Sequence, residues 1–185
     1  MILSFMLEDV IAWIIPFLVL LSHITLIVVL IIYLLSFTNS AIHKFWKTLF
    51  TRIRKDWMQW CFSFATVSTL GSLFYSNVLG YIPCELCWYQ RILMYPMMII
   101  FFVGLWKGKK DVYLYSIPLS IIGALIAGYH YFTQHLPKAV ALLTTCTLSE
   151  VNCGIKFTFH YGYISIPLMA FTGFVLILFL SLKRK

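Results

Sequence analysis

Five cysteines and one arginine carry the chemistry available to this chain. Cys84 and Cys87 flank two residues in the run Cys84-Glu85-Leu86-Cys87-Trp88-Tyr89-Gln90-Arg91. A disulfide across so short a loop constrains very little unfolded chain, so bracing is a weak reason for it. Such closely spaced pairs are the reactive kind, in which one sulfur is held as a thiolate and exchanges with other disulfides. Arg91 follows Cys87 by four residues, about one helical turn, so its guanidinium can project near that sulfur and favour the thiolate. A cation there can also stabilise negative charge developing on an electron acceptor. Trp88 and Tyr89 are membrane-interface residues by type, and could also wall a ring-binding pocket at that depth. A second pair, Cys146 and Cys153, ends the run Cys-Thr-Leu-Ser-Glu-Val-Asn-Cys. Its spacing alone leaves a structural clip and a redox pair equally open. Cys61 stands by itself and reads as a small buried apolar residue.

The elements that must position these groups lie in lipid. Of 185 residues, 62% are hydrophobic and 11% charged, and the mean hydropathy is +0.92; ordinary globular domains are about 45–50% apolar. Five stretches approach the roughly 20 helical residues that cross a hydrocarbon core: about Val10 to Phe37, Trp57 to Leu79, Trp88 to Trp106, Val112 to Gln134 and Gly162 to Leu182. The first lacks a basic leader, follows Glu8 and Asp9, and outruns a signal-peptide core, so it is expected to persist in the mature protein.

Basic residues mark the cytoplasmic side. They cluster at Lys44, Lys47, Arg52, Arg54 and Lys55, at Lys107, Lys109 and Lys110, and at Lys183, Arg184 and Lys185. The alternate connections are poor in them, carrying only Lys138 and Lys156. The expected topology is five spans, N-out and C-in. It places Cys84, Cys87, Cys146 and Cys153 on one external face and Cys61 across the bilayer. The outer face of a bacterial-type plasma membrane permits disulfides. Topology and anionic inner-leaflet lipid account for the net charge of +8, with no stacking platform or groove to indicate nucleic acid. Phe45, Trp46, Leu49, Phe50, Ile53 and Trp57 recur among the bases at helical spacing, so about His43 to Asp56 is expected to lie as an amphipathic helix on the cytoplasmic surface. Gly123/Ala127 and Ala124/Gly128 predict close helix packing.

The run from Tyr81 to Arg91, the second cysteine pair and Gly162-Tyr163-Ile164-Ser165-Ile166-Pro167 together resemble the DsbB family, in particular its BdbC-like branch. The resemblance covers about Trp57 to the C-terminus. It implies an all-α integral membrane fold: a four-helix redox bundle over residues 57–185, with residues 1–56 supplying one extra transmembrane helix and the basic connector. The implied activity is that of a thiol:quinone oxidoreductase. It would reoxidise a soluble thioredoxin-fold dithiol oxidase of DsbA type and pass electrons to ubiquinone or menaquinone, with no metal expected. The implied site comprises Cys84, Cys87, Cys146 and Cys153, with Arg91, Cys87, Trp88 and Tyr89 toward the quinone. By the same resemblance the partner attacks the Cys146–Cys153 bridge at Cys146, Cys153 attacks Cys84, and the Cys87 thiolate faces the quinone. The first span departs from the family pattern, and the second pair is closer together than in the best-studied branch.

Three other readings use the same residues. The four outer cysteines could form a closed zinc site with four thiolates, His135 and His160 being further candidate ligands; this leaves Arg91 without a purpose. The bridges could merely brace a membrane scaffold. A quinone-recycling enzyme similar to vitamin K reductase would share the chemistry, but the flanking residues resemble that group less. Haem attachment is disfavoured because Trp88 stands where a histidine would be needed. His23, deep in the first span, has no partner visible in the sequence and is expected to be a packed polar residue.

Overall fold

The computed structural model describes residues 2–135, 153–154 and 156–183, with side chains from Val10 onward. Cys146 therefore lies outside the described residues. The described chain is helical and holds no strand; its one β-bridge, between His160 and Ile164, closes a turn. The helices are α1 (Ile2–Leu35), α2 (Ser40–Lys55), α3 (Trp57–Leu73), α4 (Glu85–Lys107), α5 (Tyr113–Thr133) and α6 (Ile166–Leu182), and α3 continues into a π-helical turn, Phe74–Val78.

Helices α3 to α6 form the bundle. Packing runs from α3 to α4, to α5, to α6 and back to α3, and α5 against α6 is the most extensive contact. The small residues of α5 explain that contact: a Cβ on Gly123 would collide with the Phe174 ring, and Gly128 faces Phe171. The bundle core gathers Cys61, Met97, Phe101, Phe174 and Ile177. At one end Trp57 meets Phe101 edge-on and Ser116 reaches Ser181 at 3.1 Å. The Lys107 and Lys183 ends of α4 and α6 share this end, and Gly108, at φ 62°, closes α4 in a left-handed conformation that suits glycine.

Three segments are by themselves long and apolar enough to cross a membrane: Val10–Leu35, Glu85–Lys107 and Tyr113–Thr133. The other two expected spans are shorter as α-helices. α3 has 17 residues but gains five through its π turn, and α6 is an apolar helix of 17 residues. The fifth stretch loses its first residues because Gly162 and Tyr161, both at positive φ, turn the chain before α6 can begin. The amphipathic connector runs over Ser40–Lys55, entered through Asn39, whose side chain caps the Ala41 N–H at 2.9 Å. α1 lies outside the bundle, sparsely packed on α6 and α2, with Trp13, Ile27 and Leu34 exposed along it as befits a lipid-facing helix.

Candidate active site

The end of the bundle away from Lys107 and Lys183 gathers Cys84, Cys87 and Cys153. α4 begins one residue after Cys84, which occupies the N-cap position, so Cys87 lies in the first helical turn. The helix thus starts three residues earlier than the apolar pattern predicts, and it places both sulfurs at a helix N-terminus, where the dipole favours negative charge. Their Sγ atoms are 3.0 Å apart, both as thiols. Cys153 is disulfide-bonded. Its expected partner, Cys146, lies outside the described residues.

A residue that sequence reasoning missed completes the cluster. His130, in the last turn of α5, is buried and points Nε2 at Cys84 Sγ (3.6 Å) and at the Cys153 carbonyl (3.1 Å). Gln90 Nε2 lies 3.0 Å from Nδ1. An amide nitrogen only donates, so Nδ1 accepts and Nε2 carries the proton. The Sγ atoms of Cys84 and Cys153 and a ring nitrogen of His130 all lie within 4.8 Å of one another. The sequence carries no local signal for this contact, because His130 reaches the site across a helix interface, 46 residues from Cys84.

Aromatic packing joins the two cysteine-bearing segments. Tyr75 from the π turn stacks on Tyr81, 6.0 Å between centroids, and Tyr81 stacks on Phe157 at 5.2 Å. The Tyr81 N–H also donates to the Tyr75 carbonyl. This ladder holds the approach to Cys84 against the segment that follows Cys153.

The electrostatics single out Cys84. A hydrogen bond from the Cys87 thiol pulls its pKa well below the ordinary thiol value, and the His130 side chain adds to this; burial, which works against a thiolate, is outweighed. The expectation from resemblance placed the reactive thiolate on Cys87. In this dithiol arrangement the lowered pKa belongs to Cys84, which has the His130 side chain beside it as well as the neighbouring thiol; Arg91 favours the Cys87 thiolate as its spacing suggests, but the Cys84 sulfur and burial outweigh it there.

Arg91 makes a separate arrangement one turn on. Its Nε donates to Ser72 Oγ (3.0 Å) and a terminal nitrogen to the Ser72 carbonyl (3.2 Å). Tyr95 donates to the same Ser72 Oγ at 3.2 Å. The guanidinium lies over the Trp88 ring, 5.4 Å from its centroid. Trp88 is 53% exposed, and the Tyr89 hydroxyl is committed to Glu85 at 2.9 Å. The thiols themselves border a cavity of about 20 Å³ lined by Cys84, Cys87, His130, Cys153 and Thr158 among others, room for roughly one water and not for an aromatic ring. Neither Trp88 nor Tyr89 lines it.

The two histidines named as further metal ligands lie elsewhere: His135 Nδ1 bonds the Tyr131 carbonyl, and His160 meets Trp13 edge-on. Cys61 is fully buried at the opposite end, near the Ile177 carbonyl (3.8 Å) and Ser181 (3.9 Å).

Comparison with known proteins places the chain in a family. Residues 54–182 match the family described as disulfide bond formation protein DsbB. A probable disulfide formation protein C of Halalkalibacterium halodurans is 42% identical over 118 residues, covering 64% of this chain and 85% of the relative. Disulfide bond formation protein C of Bacillus subtilis is 41% identical over 114 residues, 62% of this chain and 81% of the relative. The prophage-derived disulfide bond formation protein B of the same organism is 38% identical over 133 residues, 72% and 88%. No solved structure matches. With its all-α membrane architecture and with Cys84, Cys87 and Cys153 gathered at one end of the bundle, the chain belongs to the DsbB family of disulfide bond formation proteins and resembles its BdbC-like members.

Proposed function

We propose that this protein is a membrane thiol:quinone oxidoreductase. It reoxidises a soluble thioredoxin-fold dithiol oxidase of DsbA type and delivers the electrons to ubiquinone or menaquinone. The observation that carries this reading is the placement of Cys84 and Cys153 sulfurs within 4.8 Å, with His130 between them. That distance suits thiol–disulfide exchange, in which a thiolate attacks along the disulfide it opens. The basic ends of the helices, opposite the thiols, support a bacterial plasma-membrane location with the cysteines on the extracytoplasmic side.

The proposed steps are those that the family resemblance implies, thiol–disulfide exchanges in series. The partner's thiolate opens the Cys146–Cys153 bridge at Cys146, and its second thiol closes the partner's own disulfide and releases Cys146. The freed Cys153 thiolate attacks Cys84 in a Cys84–Cys87 disulfide, so that Cys87 leaves as a thiolate. Cys146 then attacks Cys153, re-forming the second bridge and releasing Cys84. The outcome is a Cys84/Cys87 dithiol beside a bridged Cys153, the combination present in this structure. His130 Nε2–H serves the exchange by donating to Cys84 whenever that sulfur is anionic. A bound quinone would supply a two-electron, two-proton acceptor for the Cys84/Cys87 dithiol, which would return to its disulfide. The small internal cavity does not fit its ring, so Arg91 and Trp88, on the open side of α4, are the residues to hold it. Ser72, itself bonded by Tyr95, fixes the guanidinium, and the remaining terminal nitrogen, without a hydrogen-bond partner among the described residues, would serve an acceptor oxygen.

Anaerobic single-turnover reduction of a quinone analogue by reduced partner oxidase tests this, comparing wild type with Cys87→Ser and Cys146→Ser. Each variant is expected to block its own half of the relay. A folded protein with intact outer cysteines that passes no electrons to quinone overturns the reading.

A second reading has one observation in its favour. Cys84, His130 and Cys153 present ligand atoms close enough to share a metal ion, a different set from the four-cysteine site. The disulfide at Cys153 opposes it, since zinc requires thiolates. Stoichiometric zinc with unoxidised outer thiols in the purified protein would reverse the preference.

A further inference from the structure

The extra helix α1 lies outside the region that matches the family, which spans residues 54–182, and its one deeply placed polar ring is not idle. His23 Nε2 lies 2.9 Å from Thr172 Oγ1 on α6, and Nδ1 lies 3.1 Å from the Tyr163 hydroxyl. The Thr172 hydroxyl donates its hydrogen to the Leu168 carbonyl at 2.9 Å. Its oxygen must therefore accept from His23 Nε2–H, and Nδ1, left as the acceptor, takes the Tyr163 O–H. All three groups are satisfied within a neutral ring, as an apolar surrounding requires. The imidazole also stacks on the Tyr163 ring, 5.8 Å between centroids. Ten residues toward the N-terminus, Trp13 meets His160 edge-on at 4.8 Å.

Both contacts fall on one turn. His160 to Ile164 is closed by the paired bonds His160 N–H to Ile164 carbonyl and Ile164 N–H to His160 carbonyl, both 2.9 Å. It contains Tyr161 and Gly162 at positive φ. The turn lies on the path from Cys153 to α6, and the Tyr163 carbonyl accepts from the Tyr131 hydroxyl at 3.3 Å, next in sequence to His130. A continuous set of contacts thus links α1 to the residues around Cys84 and Cys153.

We propose that α1 is a strap on the second cysteine segment, with His23 as a positioning residue that holds the 160–164 turn and so keeps Cys153 within reach of Cys84. The catalytic consequence rests on the thiol-relay reading above; the positioning does not. A polar anchor is needed here because α1 and its surrounding lipid are equally apolar, so burial alone gives the helix little reason to stay in register on α6.

The test uses the full chain in lipid nanodiscs, in a Cys87→Ser, Cys146→Ser background where Cys84 and Cys153 can pair only with each other. An azodicarboxamide oxidant takes the two electrons and two protons as the Cys84–Cys153 bond forms, and thiol mass-tagging follows the bridge with time. His23→Leu and Tyr163→Phe should each slow bridging by about fivefold, the scale of one lost interhelical hydrogen bond. His23→Gln, which keeps one donor and one acceptor, should restore it, and the double variant should be no slower than the slower single one. In the otherwise native protein, His23→Leu should leave quinone reduction by the Cys84/Cys87 dithiol unchanged. Bridging at the unmodified rate in His23→Leu, or no rescue by His23→Gln, overturns the proposal, as does equal loss of bridging and quinone reduction. If even the native protein reduces no quinone, the relay reading falls while the bridging rates still decide the strap.

Discussion

Cys61 and Cys84 are equally hidden from solvent, at 0% and 3% exposure, yet their surroundings prepare them for opposite fates. Cys61 sits on α3 among apolar side chains, with only long contacts to the Ile177 carbonyl and Ser181. Cys84 sits at the start of a helix, 3.0 Å from a second thiol and 3.6 Å from an imidazole N–H. Burial alone therefore says nothing about thiol reactivity. What distinguishes the two is whether hydrogen-bond donors have been arranged around the sulfur where its negative charge will form.

The sharpest way to break the contrast is to exchange each sulfur for oxygen. Cys84→Ser should abolish dithiol-to-quinone electron transfer, since the alkoxide cannot take part in disulfide exchange, whereas Cys61→Ser should leave the rate within about twofold. Comparable losses in an anaerobic turnover assay would place Cys61 in the chemistry and undo the comparison.

Removing the donor comes next. His130→Ala should lower turnover by about a hundredfold, the lower range for a positioned acid–base group. Ser181→Ala, the corresponding deletion beside Cys61, should leave the rate unchanged. Arg91→Met should have a smaller effect, about tenfold, confined to quinone reduction. Stopped-flow measurement of the two half-reactions checks this, and an equal slowing of exchange with the dithiol partner would count against the role given to Arg91.

The smallest expected effect is a displacement on the pH axis. Because the folded environment lowers the Cys84 pKa, its thiolate should persist below the ordinary thiol value of about 8.5. Thiolate absorbance in the reduced protein should thus survive acidification to neutral pH, and His130→Ala should move its loss to higher pH. The sign for stability follows: Cys84 contributes fully above its unfolded-state pKa, and the contribution disappears as pH falls through the lowered folded value. A midpoint at the ordinary thiol value would show that the donors do not act on Cys84.

Much of the molecule was legible before folding because one-dimensional signals suffice for it. Hydropathy located the apolar helices, helical spacing of apolar residues among the bases located the connector, and the alternation of basic clusters separated the two ends of the bundle. The Cys-x-x-Cys spacing with Arg91 pointed to redox chemistry. The glycine and alanine spacing on α5 anticipated the tight seam in which Gly123 admits Phe174. Boundaries were less accurate: α4 starts at Glu85 rather than Trp88, because polar residues at a helix N-terminus are invisible to an apolar window. His23 was recognisable as a polar anomaly, but its partners Tyr163 and Thr172 lie 140 and 149 residues away.

By itself the sequence determined the solvent of this protein, the type of its elements and the chemical class of its site, since composition, period and local spacing are properties of neighbouring residues. Tertiary structure alone decided which groups meet. It brought His130 from α5 to Cys84, gave Arg91 to Ser72 and Trp88, and turned the extra helix into a contact with the turn that follows Cys153. Those choices depend on helix packing across sequence distance, where a side chain's role is set by what the facing helix presents.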